Sequence, residues 1–165
     1  MTNSEQKLYK RAWLLSLFTI FYNVAEGLVS MFFGYQDETL ALFGFGVDSF
    51  IEVMSGIGIA VMILRIKQNP ESNKSDFEKT ALRITGIAFY LLSAGLLAGI
   101  LVNLITKHKP ETTLWGVIIS SLSILVMIWL MYAKKRIGLK LNSEPIVADS
   151  NCTKVCVYMS VVLRL

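Results

Sequence analysis

The sequence predicts an all-α bundle of membrane-spanning helices, and three observations carry that prediction. Hydrophobic residues make up 54% of the 165 and charged residues only 17%, against roughly 25% charged in a typical soluble domain. So short a chain cannot bury that much apolar surface beneath a polar coat. The apolar residues also run in long continuous stretches without period-two alternation, which excludes barrel strands and leaves helices as the spanning structure. Finally, the lysines and arginines fall almost entirely between alternate stretches. The same composition excludes a disordered chain. Two cysteines, both close to the C-terminus, exclude a disulfide scaffold.

Four stretches meet the roughly 20 residues a helix needs to cross the hydrocarbon core. They run from about Trp13 to Gly34, Leu40 to Ile66, Ile84 to Thr106 and Leu114 to Tyr132, and a partial fifth begins near Val147 and ends with the sequence at Leu165. The first is too long for a signal peptide and lacks a small-residue cleavage site. Lys7, Lys10 and Arg11 precede span one. Arg65, Lys67, Lys74, Lys79 and Arg83 surround the second connection, and Lys134, Lys135, Arg136 and Lys140 follow span four. The turn from Tyr35 to Thr39 has no basic residue, and the third connection has Lys107 and Lys109. The positive-inside rule then puts the N-terminus in the cytoplasm of a multi-pass protein of the cell (inner or plasma) membrane. The net charge of +4 therefore reports topology, with the lipid bilayer and not nucleic acid as partner. Lys134 to Lys140 read as topogenic.

Residues 1–165 form one transmembrane domain in this reading. The segment from Gln68 to Phe77 is a polar connector with Pro70 as a helix stop. No connection has room for a soluble domain, so an enzyme would have to be built inside the bilayer. No serine–histidine pair or phosphate loop suggests one, and no prosthetic group is implied. The expectation is a non-enzyme.

Polarity inside the spans carries the functional signal, because a central acidic residue costs about 2.5 kcal/mol or more to insert. Span one contains Asn23 and Glu26, and span two contains Asp48 and Glu52. Asp48 and Glu52 are four apart and share one helix face. Asn23 and Glu26, three apart, share a face of the first helix. A five-residue turn makes the two helices antiparallel neighbours. Counted from that turn, Glu26 and Asp48 sit at the same depth, roughly 12 Å at 1.5 Å per residue. Carboxylates gathered at one depth repel unless a cation sits among them. Asn23 reads equally as an interhelical hydrogen-bond partner, and Glu26 alone as a protonated packing residue.

Asp149, Cys152 and Cys156 form one face at the start of the fifth span. Thiolates at i and i+4 present two soft ligands side by side, suited to zinc or cadmium. A disulfide within one helix would force both side chains out of their helical rotamers, so free thiols are expected. His108, the single histidine, lies in an outer turn. Gly44, Gly46, Gly56 and Gly58, and the Gly95–Gly99 pair, read as close-packing points for neighbouring helices.

The segment from Leu40 to Glu52, in which a small-residue run leads to Asp48-Ser49 and an acidic residue one turn on, is similar to the second helix of the cation diffusion facilitator (cation efflux) family. Ala148-Asp149, followed by Cys152 and Cys156 at the third and seventh places after the aspartate, resembles that family's fifth-helix opening. The resemblance implies a six-helix fold with cytoplasmic termini. By position it carries the helix-two ligands onto Asp48 and Glu52 and the helix-five ligands onto Cys152 and Cys156. Cysteines stand where the family usually has His or Asp, which favours thiophilic ions over manganese or magnesium. The family's histidine-rich loop and cytoplasmic metal-sensing domain have no counterpart here, so a homodimer would have to form without that domain. Helix six is also lacking, and the sequence reads as C-terminally incomplete.

The resemblance implies efflux of a divalent metal, zinc first and cadmium second, by alternating access with proton antiport. Asp48 and Glu52 would anchor the ion, Cys152 and Cys156 select it, and Glu26 accept a proton, with Asn23 and Asp149 completing the candidate set. Two alternatives stay open at this point. One is a non-transporting metal-binding or regulatory membrane protein, and the other is a small multidrug-type exporter of organic cations.

Overall fold

In the computed structural model the described residues are 3–36, 40–68, 74–106 and 114–162, and they are all-helical apart from one turn. Five helices follow in order: α1 (Asn3–Gln36), α2 (Leu40–Gln68), α3 (Lys74–Thr106), α4 (Leu114–Leu141) and α5 (Glu144–Val162). Every helix extends beyond the apolar stretch that predicts it. α3 starts at Lys74, so part of the expected connector is helical, and α4 runs on past Tyr132 through the basic cluster to Leu141. Apolarity marks where a helix is dry, whereas hydrogen bonding continues into water. Pro70 and His108 lie outside the described residues. Among the described residues, Asn3–Phe33 and Gly46–Gln68 are long and apolar enough to cross a membrane.

The turn between α4 and α5 is tight. Asn142 takes a left-handed conformation (φ 51°), its N–H reaching the Leu139 carbonyl at 3.3 Å while that of Ser143 reaches Gly138 at 3.0 Å. This pair of bonds is the Schellman motif, and asparagine tolerates its left-handed position better than other residues with a Cβ. The carbonyl of Ser143 then accepts from Val147 N at 3.3 Å, opening α5. A Cβ on Gly138 would fall 2.9 Å from Val147 Cγ2, so only glycine lets the two helices close this hairpin.

α1 packs most extensively on α2, α4 pairs with α5, and α2 also contacts α3 and α5. The α1–α2 crossing is glycine-mediated as expected, since a Cβ on Gly46 would lie 2.9 Å from the Gly27 carbonyl oxygen and 2.6 Å from Met31 Cγ. Gly56 faces Ile20 and Gly58 faces Ile84. Gly95 departs from expectation: nothing lies within 4 Å of its Cβ position, so it marks no contact with another of the described residues. Gly44 and Gly99 lie among residues whose surroundings are not described.

α1 and the first half of α2 are turned polar side in. α1 buries Ser16, Thr19, Asn23, Glu26 and Ser30, successively three or four residues apart, while Leu14, Phe18, Phe21, Leu28 and Phe32 face outward. Ser16 and Thr19 return their hydroxyls to carbonyls one turn back, which satisfies them within their own helix. α2 buries Asp48, Ser49, Glu52 and Ser55 on the side that continues into Ile59, Met62 and Ile66. Those apolar residues join Tyr9, Ala12, Ile63, Ala81 and Ile146 in a core at the end of the bundle that carries the basic residues. Trp13, Phe77, Ile137 and Leu141 pack around it, so all five helices contribute.

Candidate metal centre

The antiparallel register of α1 and α2 sets the site. Asn23 Nδ2 donates to Glu52 Oε2 at 3.0 Å, and one turn further on Ser49 Oγ donates to Glu26 Oε2 at 3.2 Å. The equal depths expected from the turn therefore hold in three dimensions. Glu26 also accepts from Tyr22 at 3.2 Å through Oε1, and Ser123 of α4 lies buried beside it.

α5 closes the site from the other side. The Cys156 thiol approaches Asp48 Oδ1 at 3.5 Å, a contact between residues far apart in sequence that spacing along either helix does not predict. Cys152 and Glu52 flank Cys156. Both cysteines are buried free thiols, as expected from their helical spacing.

This layer is rich in acceptors and poor in donors. Glu52 is 2% exposed, and its Oε1 has no hydrogen-bond partner among the described residues; the same holds for Asn23 Oδ1. A buried lone pair without a partner is costly. Three carboxyl groups from two neighbouring helices share the region; the Lys134 ammonium acts on Glu52 from the adjoining layer, and a proton or a cation would relieve the remaining repulsion. Its ligands stand apart, however: among the described residues no three His, Cys, Asp or Glu side chains converge closely enough to hold one metal ion. Glu52 is drawn toward Asn23 on α1, and Asp48 toward Cys156 on α5.

Asp149 belongs to a different layer. Its Oδ2 lies 2.9 Å from Lys134 Nζ in an ion pair whose side chains are 4% (Lys134) and 3% (Asp149) exposed, and its Oδ1 accepts from Ser55 at 2.6 Å. Lys134 also donates to Thr153 Oγ1 at 3.2 Å. The sequence reading missed this lysine, because it stands first in a run of basic residues just past an apolar stretch. The signal that could have found it is its distance from the helix end: with α4 running to Leu141, Lys134 is two turns inside the helix.

Compared with known proteins, the chain matches no family model and no solved structure. The likeness to cation efflux proteins thus rests on the residues of α2 and α5 themselves.

Proposed function

We propose that the five helices form a membrane-spanning bundle, N-terminus in the cytoplasm, that moves a divalent thiophilic cation, zinc or cadmium, outward in exchange for protons. The inverted burial pattern supports the membrane reading. Phe21 is 72% exposed and Tyr90 81%, while serines, threonines and carboxylates share the interior with two apolar clusters, a distribution suited to lipid outside. The basic residues gather at the N-terminal ends of α1 and α3 and the C-terminal ends of α2 and α4, one side of such a bundle. Lys154 is an exception, exposed on α5 with its ammonium 5.5 Å from the Tyr158 ring centroid.

The observation that carries the cation reading is Glu52. A buried carboxylate with a bare oxygen, one turn from Asp48, is expensive in a membrane and is relieved by a proton or a cation. Facing it across the bundle, α5 supplies Cys156 and Cys152, so binding would draw Glu52 from Asn23 and bring α2 and α5 ligands onto one ion. Carboxylates and thiols take metal deprotonated and release it protonated, which couples the two fluxes through the same groups. Glu26, held by Tyr22 and Ser49 beside this layer, is the proton acceptor in this scheme.

The test is zinc flux in sealed vesicles under an imposed pH gradient. Zinc movement driven by an opposing proton gradient and abolished by Asp48→Ala is expected. Equal flux in the variant, or none in the wild type, overturns the proposal.

A further inference from the structure

We infer that Lys134, Asp149 and Ser55 form a latch that holds the bundle shut on its basic, cytoplasmic side. The inference rests on the transport reading above and adds to it the part of the molecule that must move.

The candidate ligands are divided between two bodies. Asp48 and Glu52 ride on α2, which is tied to α1 by Asn23 and Ser49 and to α3 by the Gly58–Ile84 contact. Cys152 and Cys156 ride on α5, which the Schellman turn, the Gly138–Val147 contact and the Lys134–Asp149 pair fasten to α4. Alternating access to an ion between these bodies requires them to part first at one end and then at the other.

At the basic end they are bridged by one continuous polar chain. Lys134 on α4 binds Asp149 and Thr153 on α5, Asp149 binds Ser55 on α2, and Ser55 meets Thr85 on α3 at 3.1 Å. Ser55 has a single hydroxyl hydrogen, and at 2.6 Å it belongs to the carboxylate, so Thr85 must donate to Ser55. The chain is therefore directional and complete, and four helices share it. Ser55 lies three residues along α2 from Glu52 on the basic side, and beyond it comes the apolar core to which all five helices contribute. An ion arriving from that side meets the apolar core, then the latch, and only then the carboxylates. The bond between Ser55 and Asp149 is where the two bodies separate. The Lys134–Asp149 pair lies within the α4–α5 body and travels with it, so Ser55 bonds a carboxyl group already held by the lysine.

The two native cysteines report on the gate without any introduced cysteine. The experiment measures their rate of modification by a charged, membrane-impermeant maleimide, in everted membrane vesicles for the basic side and in spheroplasts for the opposite side. The full chain is compared with Ser55→Ala, with Ser55→Thr, and with the double variant Lys134→Met/Asp149→Asn, which removes both charges together. The latch predicts slow labelling of the wild type from the basic side. It predicts a rise of about tenfold there in Ser55→Ala and in the double variant, the scale of one charge-assisted hydrogen bond. Labelling from the opposite side should not rise, and Ser55→Thr should keep the wild-type rate. Faster labelling from both sides marks general loosening and overturns the latch, as does an unchanged rate from the basic side. Ser55→Ala decides the matter if the double variant fails to fold. The readout needs no metal, so an Asp48→Ala variant that holds as much zinc as the wild type defeats the transport reading and not the latch.

Discussion

Two buried carboxylate layers lie about one helical turn apart in this bundle, and they are built to opposite rules. Around Asp149 every acidic oxygen has a donor: Lys134 on one, Ser55 on the other. Around Asp48 and Glu52 there are carboxylates, thiols and an amide, with no basic side chain hydrogen-bonded to them among the described residues, and the Glu52 Oε1 atom is bare. Burial and charge type are the same in both, so the difference between the layers is whether the partners are already present. A satisfied buried pair holds helices together. An unsatisfied one is open to a proton or a cation.

The largest effect should come from breaking the satisfied layer unevenly. Lys134→Met leaves Asp149 buried without its countercharge and should cost about 3–5 kcal/mol. Thermal unfolding in detergent, followed by helical circular dichroism, would show it. Removing both charges in Lys134→Met/Asp149→Asn should recover most of that loss. If the double variant is as unstable as the single one, the pair is not what the lysine contributes.

Next comes the unsatisfied layer, where the sign reverses. Glu52→Gln removes a charge that has no hydrogen-bonded countercharge among the described residues and feels the Lys134 ammonium only from the adjoining layer, so stability should hold or rise, while zinc affinity by competition titration should fall at least about 100-fold. A variant that unfolds and still binds zinc would place Glu52 with the structural acids. Cys152→Ser with Cys156→Ser should weaken cadmium more than zinc, because thiolate is the softer ligand. If the double serine protein instead exports organic cations as the wild type does and never bound metal, the multidrug alternative gains.

Smaller effects test the frame on which both layers hang. Gly46→Ala would place a methyl group against Met31 and the Gly27 carbonyl. It should cost about 1–3 kcal/mol by pushing α1 from α2. Gly95→Ala meets nothing, and should be neutral or stabilise α3 by up to about 1 kcal/mol. Smallest of all, Tyr22→Phe removes one of the hydrogen bonds to Glu26 and should cost about 1 kcal/mol.

The unsatisfied layer was the more legible in the sequence. Helical spacing put Asp48 and Glu52 on one face, and a short turn fixed their depth relative to Asn23 and Glu26, because both follow from local geometry. That Cys156 would meet Asp48 followed only from resemblance, since spacing along one helix says nothing of which helix it faces. The satisfied layer was hidden for the same reason. Lys134 looks like its neighbours Lys135 and Arg136 until α4 is known to continue and its partner on α5 is known. Gly95 shows the converse: a small-residue motif is legible, but whether another helix fills its groove is a property of the assembled bundle.

The central claim is that the bare carboxylate layer receives a metal ion. Its most direct test is the zinc content of the purified full chain by elemental mass spectrometry after zinc exposure and desalting. The wild type, Glu52→Gln and Gly95→Ala would be measured side by side. About one zinc per chain in the wild type and Gly95→Ala, lost in Glu52→Gln, is the predicted result. Equal zinc in all three, or none in any, would contradict it.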